Sequence, residues 1–193
     1  VLAAGSIFTG SVHEPIKGTK NPQKMLQTGI PFTKKPVALQ FDYKVKMSDR
    51  ENRIRATGFS KITDVPGKDY PAAILLLQKR WEDANGNVYA KRIGTMVTYY
   101  YHSTDWKNNV TYEIMYGDIT NRPEYKAHMM RLQATESYTV NSKGESVPIH
   151  EVAWGDENDV PTHMYIQFTS SHGGAYIGSP GNTLWVDNVK LVY

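Results

Sequence analysis

The sequence predicts an all-β fold, a two-sheet antiparallel sandwich of the jelly-roll kind, and three observations carry that prediction. The 193 residues include 13 tyrosines, 15 glycines and 10 prolines, a composition that favours strands and turns over helices. From Val37 to Met47 every odd position is apolar (Val37, Leu39, Phe41, Tyr43, Val45, Met47), while Gln40, Asp42, Lys44 and Lys46 are polar; period two describes a strand with one buried and one wet face. Roughly eight or more such segments are separated by turn signals with no repeated strand-then-helix pattern, which points to packed antiparallel sheets.

The elements follow in order. Ala72 to Glu82 begins as an unbroken apolar run through Leu77, then turns polar at Gln78. Asp83-Ala84-Asn85-Gly86-Asn87 supplies residues that tolerate positive φ, so Val88 to Thr95 is expected to return as the second arm of a β-hairpin. Further strands are expected at Met96–His102, Val110–Tyr116 and Met164–Ser170, the last with Met164, Ile166 and Phe168 on one face. Pro123–Ala134 fits neither period cleanly and reads as a short helix or a strand. In the closing strand the apolar phase is even at Leu184 and Val186 and odd at Val189, Leu191 and Tyr193. That slip at Asp187-Asn188 predicts a β-bulge.

Length and charge bound the function. One domain spanning residues 1–193 fits the usual size range, and a chain this long needs neither disulfides nor a structural metal for a stable core. The absence of cysteine excludes thiol catalysis and cysteine-ligated metals. A net charge of +3, from 22 Lys+Arg against 19 Asp+Glu, is spread along the chain rather than concentrated as a nucleic-acid binder would hold it. The apolar run Ala72–Leu77 is far below the ~20 residues of a membrane span, and no charged-then-apolar leader opens the chain. Opening at Val1 rather than a methionine, the chain reads as part of a longer protein.

No nucleotide-binding glycine motif and no catalytic-serine elbow occur. His13, His102, His128, His150, His163 and His172 show none of the HxH or HxxxH spacings of a metal site. Glycoside hydrolysis needs two carboxyls about 5–9.5 Å apart. The tightest acidic cluster, Glu151, Asp156, Glu157 and Asp159, sits largely in a polar loop, and Glu113 with Asp118 forms a weaker pair. Asp187 has two readings: a carboxylate capping N–H groups freed by the bulge, or an oxygen ligand joining the Gly10–Glu14 region in a structural calcium site. No other cofactor is required.

The aromatics are the feature most open to a functional account. Trp81 and Trp185 lie inside expected strands and read as core. Trp106, between Ser103-Thr104-Asp105 and Lys107-Asn108-Asn109, and Trp154, before Gly155-Asp156, read as loop residues. A ring beside amides and carboxylates suits sugar recognition, because it covers the apolar C–H face of a pyranose while its neighbours bond the hydroxyls. Trp106 and Trp154 are therefore the candidate stacking platforms, with Asp105, Asn108, Asn109 and Asp156 as hydroxyl partners in a rim site; the alternative is that both rings plug the ends of the sandwich.

Phe8-Thr9-Gly10, Asn21-Pro22 through Thr28-Gly29-Ile30-Pro31-Phe32, Phe41-Asp42-Tyr43-Lys44, and the tail Phe168-Thr169-Ser170-Ser171 with Gly181-Asn182-Thr183-Leu184-Trp185-Val186-Asp187-Asn188-Val189 resemble one family, the putative carbohydrate metabolism domain (PCMD). The resemblance covers nearly the whole chain. It implies a sandwich of the galactose-binding type at the C-terminus of secreted, periplasmic or cell-surface proteins of gut bacteria, often behind an immunoglobulin-like domain. It brings no catalytic residues. The expected function is a non-catalytic module that binds oligo- or polysaccharide and takes part in polysaccharide utilisation, against a glycoside hydrolase or a structural spacer.

Overall fold

The strictly alternating segment becomes a strand with one face in the core and one in solvent, and the continuous apolar run becomes a strand covered on both sides. These two strands define the architecture, which a computed structural model describes for residues 1–13, 20–132 and 136–193. In chain order the strands are β1 Ser6–Phe8, β2 Gly10–Val12, β3 Leu26–Thr28, β4 Ile30–Pro31, β5 Ala38–Lys46, β6 Arg53–Arg55, β7 Thr63–Val65, β8 Ala72–Glu82, β9 Val88–Tyr99, β10 Thr104–Glu113, β11 Met115–Tyr116, β12 Tyr138–Val140, β13 Ser146–Trp154, β14 His163–Thr169, β15 Ile177–Gly178 and β16 Thr183–Val192. A short 3-10 turn, Pro22–Met25, precedes β3. No α-helix occurs among the described residues.

The large sheet runs β1-β14-β8-β9-β13-β12, with β4 on β14 and β11 on β9; the small sheet is β10-β5-β16. They face each other across one core. Leu39, Phe41 and Val45 of β5 meet Ala73, Leu75 and Leu77 of β8 and Met164, Ile166 and Phe168 of β14. Phe41 is fully buried, stacks on Tyr112 at 5.2 Å and meets Phe168 edge-on at 4.9 Å. Each large apolar side chain so buried contributes about 1.5–3 kcal/mol.

The β8–β9 hairpin and the β14 face match the sequence expectation. The bulge does too: pairing of β16 with β5 shifts between Asp187 and Lys190, and Asn188 takes the left-handed backbone with φ 52°.

Other expectations need correction. The sheets are not wholly antiparallel, since β13 runs parallel to β9. The expected strand at 96–102 is the continuation of β9, bulged opposite the Leu77/Gln78 step. Residues 104–109 belong to β10 rather than to a loop, because two bulges opposite β5 let this polar stretch keep its ladder. Within 123–132 the chain forms turns and bends, neither helix nor strand; residues 133 and 134 lie outside the described residues. Trp81 and Trp185 are not core: they are 42% and 40% exposed, Trp81 stacked on Tyr89 near the β8–β9 turn and Trp185 beside Lys44 on the wet face of the small sheet.

Candidate functional site

On the small sheet the wet face of β5 lies between two bulged neighbours, and the bulges gather polar and aromatic side chains into rows. β10 pairs Thr104 with Val45 and Lys107 with Tyr43, so Asp105 and Trp106 together oppose Lys44. Across β5, Trp185 pairs with Lys44. The Lys44 ammonium is 4.0 Å from the Asp105 carboxylate and 5.7 Å from the centre of the Trp185 ring, while Trp106 is 47% exposed. The next row sets Asn108 and Asn109 against Asp42, which pairs with Asp187 on the other side.

Asp42 is the hub of that second row. Its Oδ1 accepts the Asn109 N–H at 2.5 Å and its Oδ2 accepts the Asn188 side-chain amide at 2.7 Å. Both asparagines have φ 52°, a left-handed conformation that asparagine tolerates better than most residues. The Asn109 main-chain bond, then the Asn188 bond, hold the Asp42 carboxyl below its ordinary range. An anion fixed by donors is a standing acceptor for hydroxyls, and the opposite of a general acid, which must hold its proton near neutral pH.

Of the six residues expected to bind sugar, the structure brings Trp106, Asp105, Asn108 and Asn109 together on β10, in strand rather than rim loop. Trp154 and Asp156 lie elsewhere. Trp154 ends β13 in the large sheet, half-buried, with the Arg92 guanidinium 5.5 Å from its ring centre. Asp156 is exposed in the turn that follows, its Oδ1 accepting the Asn158 N–H at 2.8 Å. Sequence reasoning missed Trp185, Lys44, Asp42 and Asn188. The signal was present in the even positions of β5, whose polarity marks the wet face, but only pairing shows what stands beside them.

At Asp187, Oδ1 accepts the Asn188 N–H at 2.7 Å. β2, the expected source of calcium oxygens, pairs with β3 instead of lying along β16, and Glu14 is outside the described residues. Among the described residues no three His, Asp or Glu side chains converge as a metal site. The acidic cluster is dispersed: Glu151 is buried against Arg92 and Gln78, and Asp159 pairs with Lys79 at 2.8 Å, which lowers its pKa. Asp118 closes a turn by accepting the Thr120 N–H and hydroxyl.

Two hollows also mark the surface of the described residues. One of about 650 Å³ opens between the β1 and β16 edges over Ile7, Phe168, Leu184 and Val186. The other, about 490 Å³, lies on the outer side of the large sheet against Tyr99, Tyr165 and His172.

The family described as the putative carbohydrate metabolism domain matches residues 1–192. No curated protein matches the chain. Among solved structures, a putative glycoside hydrolase from Bacteroides thetaiotaomicron VPI-5482 is similar at 19% identity and TM-score 0.55, over 99% of this chain and 47% of that one. Another from Bacteroides vulgatus ATCC 8482 is similar at 15% identity and TM-score 0.51, over 98% of this chain and 64% of that one. The chain thus spans less than two thirds of either neighbour, and at these identities the likeness is one of fold.

Proposed function

Because the chain belongs to the putative carbohydrate metabolism domain family, we propose that it is a non-catalytic glycan-binding module whose site is the open face of the small sheet. The observation that carries this reading is the pair of exposed indoles, Trp106 and Trp185, flanking Lys44 in one row beside the donor-held Asp42 carboxylate. Flat rings on a flat sheet face suit the apolar faces of consecutive sugar units, and Asp42, Asn108, Asn109 and Asn188 suit their hydroxyls. The lowered pKa of Asp42 favours binding over acid catalysis.

We read residues 1–193 as one such module, a jelly roll of the galactose-binding type, working without a cofactor on oligo- or polysaccharide in a secreted, periplasmic or cell-surface setting. The two facing sheets and the likeness in fold to proteins named as putative glycoside hydrolases support that reading.

A shallow face should bind at about 10 µM to 1 mM, or roughly −4 to −7 kcal/mol. A glycan array of the whole chain, followed by titration of the best binder, tests it. Trp106→Ala and Trp185→Ala are each expected to remove about 1–2 kcal/mol of binding. Loss of binding in Trp154→Ala with both of these unchanged would move the site to the end of β13.

A further inference from the structure

We propose that the cleft of about 490 Å³ on the outer side of the large sheet is a second ligand site, independent of the small-sheet face, and that it takes a neutral saccharide. Its floor is the outward side of β14 and β8, where Tyr165 and Gln167 alternate with the inward Met164, Ile166 and Phe168. Tyr99, Tyr176 and Phe8 wall it, with Phe8 6.4 Å from Tyr165 between ring centres. A volume in the ligand-pocket range, mainly apolar walls that include several tyrosines, and a few convergent polar groups are the properties of a small-molecule site.

Two of those polar groups are held in place by the protein. The Gln167 amide oxygen accepts the Tyr165 hydroxyl at 2.8 Å, which assigns the other end of that amide as NH2; among the described residues it has no protein partner. His172 stacks on Tyr70 with ring centres 5.5 Å apart and lies tilted against Tyr99 at 5.0 Å. Its Nδ1 lies 3.0 Å from the Tyr70 N–H and 3.1 Å from the buried Asp69 Oδ1, which fixes the ring at the cleft.

Charge selects the class of ligand. No lysine or arginine lines the cleft among the described residues, and Glu136 is its carboxylate. An anionic sugar would meet no counter-charge there, whereas a neutral ring offers C–H faces to the tyrosines and hydroxyl groups to Gln167 and His172. The small-sheet face, with Lys44, Lys46 and Lys190, has cations where the cleft has none.

The test uses the whole chain, with cellotetraose, maltotetraose and mannotetraose as neutral probes and tetragalacturonate as the anionic one, followed by calorimetry and saturation-transfer NMR. Ala175→Trp fills the rim without removing a hydrogen bond, and Gln167→Leu removes a donor at similar volume; circular dichroism and melting curves check that both fold. At least one neutral probe is expected to bind and to lose about tenfold or more in affinity in each variant. Failure of every neutral probe to bind, or binding that survives both cleft variants, overturns the cleft. Sensitivity to Trp185→Ala alone would overturn the cleft and leave the small-sheet face standing; sensitivity to the cleft variants alone sustains the cleft, whatever becomes of the face.

Discussion

The two outer sides of this sandwich differ in what lies over them. On the small sheet no hydrophobic cluster of the described residues covers Asp42 and Lys44, so they meet water, and their bonds to Asn109, Asn188 and Asp105 are exposed surface bonds. On the large sheet Met129 and Met130 pack over Ile74, Leu76 and Val97, and Arg92 donates to the Met130 carbonyl at 2.8 Å. That side chain is 1% exposed and is held in a bidentate pair by Glu151; burial also pushes the neighbouring Arg80 down to about 10. Similar polar residue types therefore work differently. On the open face they are available to a ligand at little cost in stability, and on the covered side they hold the fold together.

The largest effect should come from breaking the covered pair. Glu151→Gln leaves Arg92 buried without its counter-charge and is expected to cost about 3–5 kcal/mol in urea unfolding. Next is Asp69→Ala. Its carboxylate accepts the Ser171 hydroxyl at 2.9 Å and the Ser179 N–H at 2.9 Å inside the 171–182 segment, so the loss leaves buried donors unmet at about 1–3 kcal/mol.

A pH titration separates the sides further. Burial, then the nearby Arg80 charge, push His163 down from 6.5 to about 4. The unfolded chain therefore binds this proton first, and stability should fall as pH drops from 6.5 toward 4. Comparing urea midpoints at neutral and mildly acidic pH should show that fall, and His163→Gln should flatten it. Asp69 has its pKa lowered despite burial, which opposes the shift, because His172 and Ser171 bond the ionised form; its contribution is full above the ordinary aspartate range and disappears only at more acid pH.

The smallest effect belongs to the open face. Asp187→Ala removes an exposed bond and should stay within about 0.5 kcal/mol. A cost matching that of Glu151→Gln would break the contrast between the two sides.

Legibility in the sequence followed the same division. β5 and β8 were readable because a strand wet on one face must alternate and a strand covered on both need not. β13 was not, because Glu151 stands where an apolar residue would complete the buried phase, and its burial makes sense only once Arg92 is beside it. The bulge at Asp187-Asn188 was readable from the phase slip alone. The polar run through Trp106 looked like loop because both of its bulges are defined by a partner strand rather than by local residues.

By itself, then, the sequence determined the all-β class, the two principal strands with their inner and outer faces, the closing bulge and the family. Tertiary structure alone decided that Trp106 belongs with Trp185 rather than Trp154, and that Tyr99, Tyr165 and His172 share a cleft. Alternation is a property of one strand, whereas a site on a sheet is assembled by register between strands distant in the chain, as in the pairing of Lys44 with Trp185.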